Sequence, residues 1–377
     1  MKILFTGGGT AGHILPIIAV AREMRRIYPQ NALRFFYLGP RDDFALILLS
    51  QEGIQVKTVL SGKIRRYFNW QSVLQNLLDI FLKIPLGILQ SFFYVFLFAP
   101  DLIFSKGGYG SIPGVIAGKL LWVPIFSHES DISPGISNRI LAKFALKIFV
   151  SFEQTEGLPL KKMILTGNPI RRELFDYPLD AAKKLLKIQS AKPVILIIGG
   201  SQGAQRINDR ILEILPELLK DFEIAHQAGE KNFAQVKAEA KVVIAKEAES
   251  FYHLFPFLKE EELKQVYAAS DIIVSRAGSS SIFEIAAIGK PSILIPLPES
   301  AQNHQVKNAY AYAQTGTSQV LEESNFTPHF FLEKLRYLAF HPEELEKMSK
   351  AAKDFSKPEA AKTIANYIFN YYGKNKN

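Results

Sequence analysis

One unit occurs twice in this chain: a short apolar run, a glycine-rich loop, then a helix with one apolar face. Lys2-Ile3-Leu4-Phe5-Thr6 reads as a buried strand and Gly7-Gly8-Gly9-Thr10-Ala11-Gly12-His13 as a tight loop. The segment from Ile14 to Ile27 then has helical apolar spacing through Ile17, Val20, Ala21 and Met24. The second half repeats the order with Pro193-Val194-Ile195-Leu196-Ile197-Ile198, the loop Gly199-Gly200-Ser201-Gln202-Gly203 and a helix from near Ala204. Both loops fit Gly-Gly-[Ser/Thr]-x-Gly, Gly8 to Gly12 matching Gly199 to Gly203. A strand that enters a helix through glycines is the opening of a parallel α/β sheet, so the repeat predicts two open α/β domains, each with its own switch-point crevice.

Length agrees, because 377 residues exceed one ordinary core. Further strand-to-loop units run from Leu102-Ile103-Phe104 into Ser105 to Ser111, and from Asp271-Ile272-Ile273-Val274 into Ser275 to Ser279. Ser292 to Pro296 is another buried strand. The Asn168-Pro169 break sets the expected boundary, giving domains over 1–165 and 166–357. From Pro358, residues Ala361, Ile364, Ala365, Ile368 and Tyr371 share a helical face, and a helix over 358–372 is expected to dock back on the first domain. The tail after Gly373 is expected to fray.

The absence of cysteine removes disulfides, thiolate metal sites and a Cys nucleophile. The start carries no signal-peptide pattern, since Ile3-Leu4-Phe5 is far too short before the glycines. A net charge of +9 asks for an anionic partner. Nucleic acid is the poorer choice, because no binding motif is present and phosphate-cradling loops suit a small ligand. Lys63, Arg65 and Arg66 stand beside Tyr67, Phe68 and Trp70, and Leu77 to Phe98 is apolar, though Asp79, Lys83, Pro85 and Gln90 interrupt it. This stretch reads as helices that face the core on one side and anionic lipid on the other, with the basic cluster drawing the chain in; an oily core helix with a solvated basic loop is the alternative.

Gly7-x-Gly9-x-x-Gly12 formally satisfies the dinucleotide fingerprint, in which glycines bring backbone close to a diphosphate at a helix N-terminus. The second strand, Arg34 to Pro40, ends without the acidic residue that holds a nicotinamide ribose. Phosphate-rich ligands other than a nicotinamide are therefore expected.

The run Gly8-Gly9-Thr10-Ala11-Gly12-His13-Ile14-Leu15-Pro16 resembles the opening motif of the MurG family. These are UDP-N-acetylglucosamine-dependent transferases acting on muramyl-pentapeptide-pyrophosphoryl-undecaprenol, within glycosyltransferase family 28. The likeness continues in order through Gly107-Gly108-Tyr109-Gly110-Ser111-Ile112-Pro113, His128-Glu129, Gly167-Asn168-Pro169-Ile170-Arg171, Gly199 to Ala204, Ser275-Arg276-Ala277-Gly278, Glu284-Ile285-Ala286-Ala287 and Asn303-His304-Gln305. It implies a GT-B fold, two Rossmann-like parallel-sheet domains facing a cleft. The first would bind the lipid acceptor and the membrane, the second the UDP-sugar. The implied reaction is an inverting transfer of N-acetylglucosamine to the muramyl 4-hydroxyl of lipid I, giving lipid II. It needs neither cofactor nor metal, and the chain has no Asp-x-Asp.

The resemblance implies donor-binding roles for Thr10, Gly12, Arg171, Ser201, Gln202, Leu258, Arg276, Ser279, Ser280, Glu284 and Gln305. Glu284 would hold the ribose, Leu258 would frame the uracil or sit in the core, and Arg276 would face phosphate or buttress its loop. Acceptor-binding roles fall to Gly107, Gly108, Tyr109, Ser111, His128, Glu129 and Asp131. His13 is the candidate general base, with acceptor-diphosphate binding or loop capping as alternatives. Ser130-Asp131 departs from the family's usual Gln-Asn. A carboxylate cannot donate where an amide can, so Asp131 either repels a diphosphate unless a cation intervenes, or serves as a base. The implied location is peripheral, at the cytoplasmic face of a bacterial inner membrane, with anionic lipid and other cell-wall synthesis proteins as partners. Two rivals share the fold: a diacylglycerol glycosyltransferase and a non-hydrolysing UDP-N-acetylglucosamine 2-epimerase.

Overall fold

The computed structural model describes residues 1–28, 33–63, 70–175, 182–183, 188, 190–200 and 203–376. The chain divides into two compact units: residues 1–171 with 358–377, and residues 172–357.

In the first unit, strands β1 (Lys2–Gly7), β2 (Arg34–Gly39), β3 (Gln55–Thr58), β4 (Leu102–Gly107), β5 (Ile125–Glu129), β6 (Lys147–Val150) and β7 (Met163–Leu165) form one sheet in the order β3-β2-β1-β4-β5-β6-β7. Its helices are α1 (Ala11–Ile27), α2 (Asp43–Gln51), α3 (Trp70–Leu78), α4 (Ile84–Phe98), α5 (Ile112–Leu120) and α6 (Ile136–Leu141). In the second unit, β8 (Val194–Ile198), β9 (Glu223–Gln227), β10 (Tyr252–Phe255), β11 (Ile272–Ser275), β12 (Ser292–Leu294) and β13 (Ser318–Val320) are ordered β10-β9-β8-β11-β12-β13. Its helices are α7 (Gln205–Asp221), α8 (Phe233–Val243), α9 (Glu260–Ala269), α10 (Ser279–Ile288), α11 (His304–Ala313), α12 (Pro328–Ala339) and α13 (Pro342–Phe355). The terminal α14 (Ala360–Lys376) belongs to the first unit.

Every strand pair is parallel, as the repeat requires. A parallel sheet is covered on both faces, which is why its strands are apolar end to end: all five residues of β8 are buried. Strand order reverses at β1/β4 in one sheet and at β8/β11 in the other. Ligands of such sheets bind beyond the carboxyl ends of the strands at that point. The glycine loops after β1, β4, β8 and β11 all stand there.

The helix of α14 lays Ala361, Ile364, Ala365 and Ile368 into the same core as Ile14, Ile17 and Val20 of α1. Tyr371 and Tyr367 meet the Phe126 ring edge-on, at 5.1 and 5.9 Å between centroids. Burying Ile364 and Ile368 stabilises this docking by about 1.5–3 kcal/mol each. Contrary to the expected fraying after Gly373, the helix runs on to Lys376.

Residues 72–98 make one stretch of 27 residues, long and apolar enough to cross a membrane by length and composition alone. One stripe of it packs inward: Asp79, Gly87, Ser91, Val95 and Phe98 are buried. Gly87 is required, because a Cβ there would lie 1.9 Å from the Leu60 carbonyl oxygen. Asp79 pairs with Lys83 at 2.6 Å and accepts from the Lys63 N–H at 3.2 Å. The other face presents Phe81, Leu89, Phe93, Phe96 and Leu97 to the exterior, and Trp70 and Trp122 are exposed as well. The reading of these residues as core helices therefore holds for one stripe only. Arg65, Arg66, Tyr67 and Phe68 lie outside the described residues.

Candidate active site

In the first unit, α1 begins at Ala11, so His13 occupies its first turn rather than the loop. Thr10 leaves the helix uncapped by its side chain and instead places Oγ1 2.7 Å from His13 Nδ1. The opposite nitrogen points at the loop after β4: a Cβ on Gly108 would come within 2.9 Å of His13 Nε2. Gly107 and Gly108 have φ of 84° and 80°, a region that favours glycine, and a Cβ on Gly107 would strike Asn138 Oδ1 at 2.2 Å. Burial, then the Lys106 ammonium, lower His13 to about 3. Its imidazole is therefore neutral at physiological pH.

Around this imidazole the loops are tied by buried polar groups. Asn138 accepts from Gly108 N–H at 2.8 Å and donates to Glu129 Oε2 at 2.6 Å. Glu129 Oε1 accepts from Asp131 N–H at 2.9 Å. Burial first, and Asp131 second, push the Glu129 carboxyl up. His128 donates from Nε2 to the Gly167 carbonyl at 3.1 Å, and burial holds its pKa well below the ordinary imidazole value. Ser111 is fully buried, and its hydroxyl donates to the Gly108 carbonyl at 2.8 Å. Tyr37 reaches across to donate to the Gly7 carbonyl at 3.1 Å. Of the expected acceptor residues, Ser111, His128 and Glu129 are thus turned inward as a frame. Gly108, Tyr109 and Asp131 are partly exposed.

In the second unit, Gly200 and Gly203 have φ of 83° and 75°. A Cβ on Gly203 would sit 2.4 Å from the Ala228 carbonyl, whereas one on Gly200 meets nothing within 4 Å among the described residues. Ser201 and Gln202 lie outside the described residues. Gln227 braces the loop, donating to the Gly200 carbonyl at 3.2 Å and accepting from Leu258 N–H at 3.0 Å. The Leu258 side chain is buried. After β11, Gly278 caps α10, so the N–H groups of Ser279, Ser280 and Ser281 open its first turn, where an anion is favoured.

Glu284, one turn further along α10, is buried and accepts from Tyr267 OH at 3.1 Å, so it is not an ordinary surface glutamate. Arg276 donates to the Ile295 carbonyl at 3.1 Å and pairs with Glu323, the geometry of a buttress. Glu323 also pairs with Arg206 at 2.6 Å, and Arg206 with Glu299 at 2.9 Å. Gln305 accepts from Leu297 N–H at 3.0 Å, so its NH₂ end remains to donate. Just before it, Gln302 and Asn303 hold φ of 60° and 54°, a strained entry of the kind found at ligand sites. His304 Nδ1 donates to the Ala301 carbonyl at 2.6 Å. Arg171 is buried in the first unit's segment.

Comparison with known proteins resolves the class. Residues 3–150 match the glycosyltransferase family 28 N-terminal domain, and residues 194–364 the family 28 C-terminal domain. A protein of Clostridium tetani is 38% identical over 373 residues, covering 98% of each chain. It is named UDP-N-acetylglucosamine--N-acetylmuramyl-(pentapeptide) pyrophosphoryl-undecaprenol N-acetylglucosamine transferase. This chain belongs to that transferase family. A Treponema denticola protein of the same name is 35% identical, covering 98% of this chain and 97% of its own. The crystal structure of Acinetobacter baumannii MurG superposes with a TM-score of 0.72 at 24% identity, over 98% of this chain and 99% of that one. UDP-GlcNAc 2-epimerase from Neisseria meningitidis gives 0.65 at 18%, over 98% and 100%. These two likenesses show the shared fold.

Within this family 28 transferase, motif reading passed over Lys106, Asn138 and Arg206. Lys106 carried a signal, since a lysine closing an apolar strand before two glycines is not an ordinary buried residue. Asn138 and Arg206 carried none, because their roles arise from partners 9 to 117 positions away.

Proposed function

We propose that this chain transfers N-acetylglucosamine from UDP-N-acetylglucosamine to the 4-hydroxyl of the muramyl sugar in an undecaprenyl-pyrophosphoryl acceptor. The observation that carries the reading is the 38% identity, end to end, with a relative named for that transfer. The 4-hydroxyl oxygen forms a bond to the anomeric carbon, the bond from that carbon to the UDP oxygen breaks, and configuration inverts.

The hydroxyl proton goes to His13. At a pKa of about 3 the free imidazole is a weak base. An acceptor diphosphate beside it adds negative charge and raises its proton affinity, so basicity rises when the acceptor is bound. UDP leaves toward the glycine loop after β8 and the N-terminus of α10, whose first-turn N–H groups stabilise the departing charge. Thr10, Gly12, Arg171, Leu258, Ser279, Ser280, Gln305 and the buried Glu284 serve the donor, with Arg276 acting as the brace of its loop. Gly107, Gly108, Tyr109 and Asp131 meet the acceptor, on the frame of Ser111, His128 and Glu129.

The outward apolar face of residues 72–98 supports peripheral binding to an anionic membrane, where a lipid-linked acceptor resides. Asp79, buried within the stretch, supports lying on the surface rather than spanning it.

Labelled UDP-N-acetylglucosamine with and without a lipid I analogue tests the reaction. Label should move to the acceptor, with no change in the sugar nucleotide alone. Turnover without acceptor would mark an epimerase, and transfer to diacylglycerol but not to the analogue would mark the lipid transferase.

A further inference from the structure

Lys106 is the extra residue of a bulge. β1 and β4 stay in register up to Thr6 opposite Ser105, then Gly7 faces Gly107, which leaves Lys106 without a position across the pair. A bulge at a strand end re-aims one side chain, and this one stands at the switch point. The ammonium is turned inward: Lys106 is 3% exposed. Its Nζ donates to Ser130 Oγ, and Ser130 Oγ donates in turn to Asn168 Oδ1 at 3.0 Å. One chain of hydrogen bonds therefore ties β4, the loop after β5 and the Gly167-Asn168 segment. A Cβ on Gly7 would lie 3.5 Å from Lys106 Cβ and 3.6 Å from His13 Cβ, so lysine and imidazole flank the same glycine. Burial lowers the Lys106 pKa, and two carboxyl groups oppose that shift: Glu129 at the end of β5 and Asp131 in the loop after it.

Without a cation, Glu129 and Asp131 would set two carboxyl groups against an incoming diphosphate. A buried lysine is retained only where its charge is matched, and here the match is those two groups. We propose that Lys106 is a positioning residue for the transfer: its buried ammonium holds the loop after β5 through Ser130 and balances Glu129 and Asp131, so that a diphosphate-bearing acceptor is admitted beside His13. The inference rests on the acceptor assigned above.

The test uses the full chain with UDP-N-acetylglucosamine and a lipid I analogue, comparing wild type, Lys106→Met, Asp131→Asn and the double variant. Lys106→Met should raise the acceptor KM about tenfold or more and leave the donor KM within about twofold, as expected for an uncompensated charge at a binding surface. Adding Asp131→Asn should recover at least half of that loss on a logarithmic scale. An unchanged acceptor KM, an equal rise in both KM values, or no recovery in the double variant would each overturn the proposal. If Lys106→Met alone is insoluble, the double variant decides: charge balance requires it to fold, and its failure to fold overturns the pairing. Wild-type turnover is read first. Its absence strikes the assigned acceptor, whereas a normal wild type with an indifferent Lys106→Met strikes only the role of Lys106.

Discussion

The two units share a strand order and a pair of switch-point loops, yet brace those loops with opposite chemistry. The first unit uses buried, mostly neutral links: Asn138 between Glu129 and Gly108, His128 on Gly167, and Ser111 on Gly108. One buried ammonium sits among them. The second unit uses an ion chain from Arg276 through Glu323 and Arg206 to Glu299, together with the amide of Gln227. The same backbone solution therefore offers a desolvated imidazole in one unit and helix N-termini with partly exposed cations in the other. Fold alone does not assign these tasks; the bracing side chains do.

The strongest way to break this division is His13→Ala. Loss of the proton acceptor should lower kcat by about 10²–10⁴-fold while the donor KM and UDP binding stay as in wild type. Steady-state kinetics with both substrates checks it, and a matching rise in donor KM would refute the separation of roles. Next in size is Glu323→Ala. It leaves the buried Arg276 without its carboxylate, at a cost of about 3 kcal/mol in stability, and frees the exposed Arg206 of one of its two partners. Denaturant titration followed in the second unit should show that loss, and donor affinity should fall while acceptor affinity holds.

Acid probes the second unit's core. His226 lies between Asn208, 3.0 Å from Nε2, and Tyr252, 2.8 Å from Nδ1, and burial lowers it to about 4. The unfolded chain, with an ordinary imidazole near 6.5, binds the proton first. Stability is thus full above pH 6.5 and is lost as pH falls from there toward 4, by up to about 3 kcal/mol from this residue. His226→Gln should be less stable at pH 7 and show a shallower fall in melting temperature across that window. An equally steep fall would mean that His226 is not the group responsible.

Much of this was legible from residue order. The paired glycine loops predicted two parallel sheets, and both are present with their switch points where those loops stand. Glycine signals travel well because φ near +80° at Gly107, Gly108, Gly200 and Gly203 is a local demand. What failed to show was whatever depends on distant partners. The sequence left Arg276 equally able to face phosphate or buttress its loop, because Glu323 is 47 residues away. Nor could spacing show that the Ser111 hydroxyl and His128 Nε2 are taken by the Gly108 and Gly167 carbonyls. Lys106 is marked in the sequence by its place at the end of an apolar strand, but its direction is set by a bulge, which no spacing rule announces.

The finest cut between the units comes from two alanines at nearly the same backbone angle. Gly108 and Gly200 have φ of 80° and 83°, which costs alanine stability at either, and Gly108 also has ψ of 171°, a region essentially reserved for glycine. Their surroundings differ. A Cβ at Gly108 meets His13 Nε2 at 2.9 Å and displaces the imidazole, while a Cβ at Gly200 meets nothing within 4 Å among the described residues, which leave out Ser201 and Gln202. If that open space holds the donor diphosphate, Gly200→Ala should raise the donor KM and leave the rate at saturating donor nearly intact. Gly108→Ala should instead lower kcat with little change in donor KM. Opposite kinetic effects of the two folded variants would tie each loop to its own substrate. A Gly200→Ala chain with an unchanged donor KM would take the diphosphate away from the second unit's glycine loop.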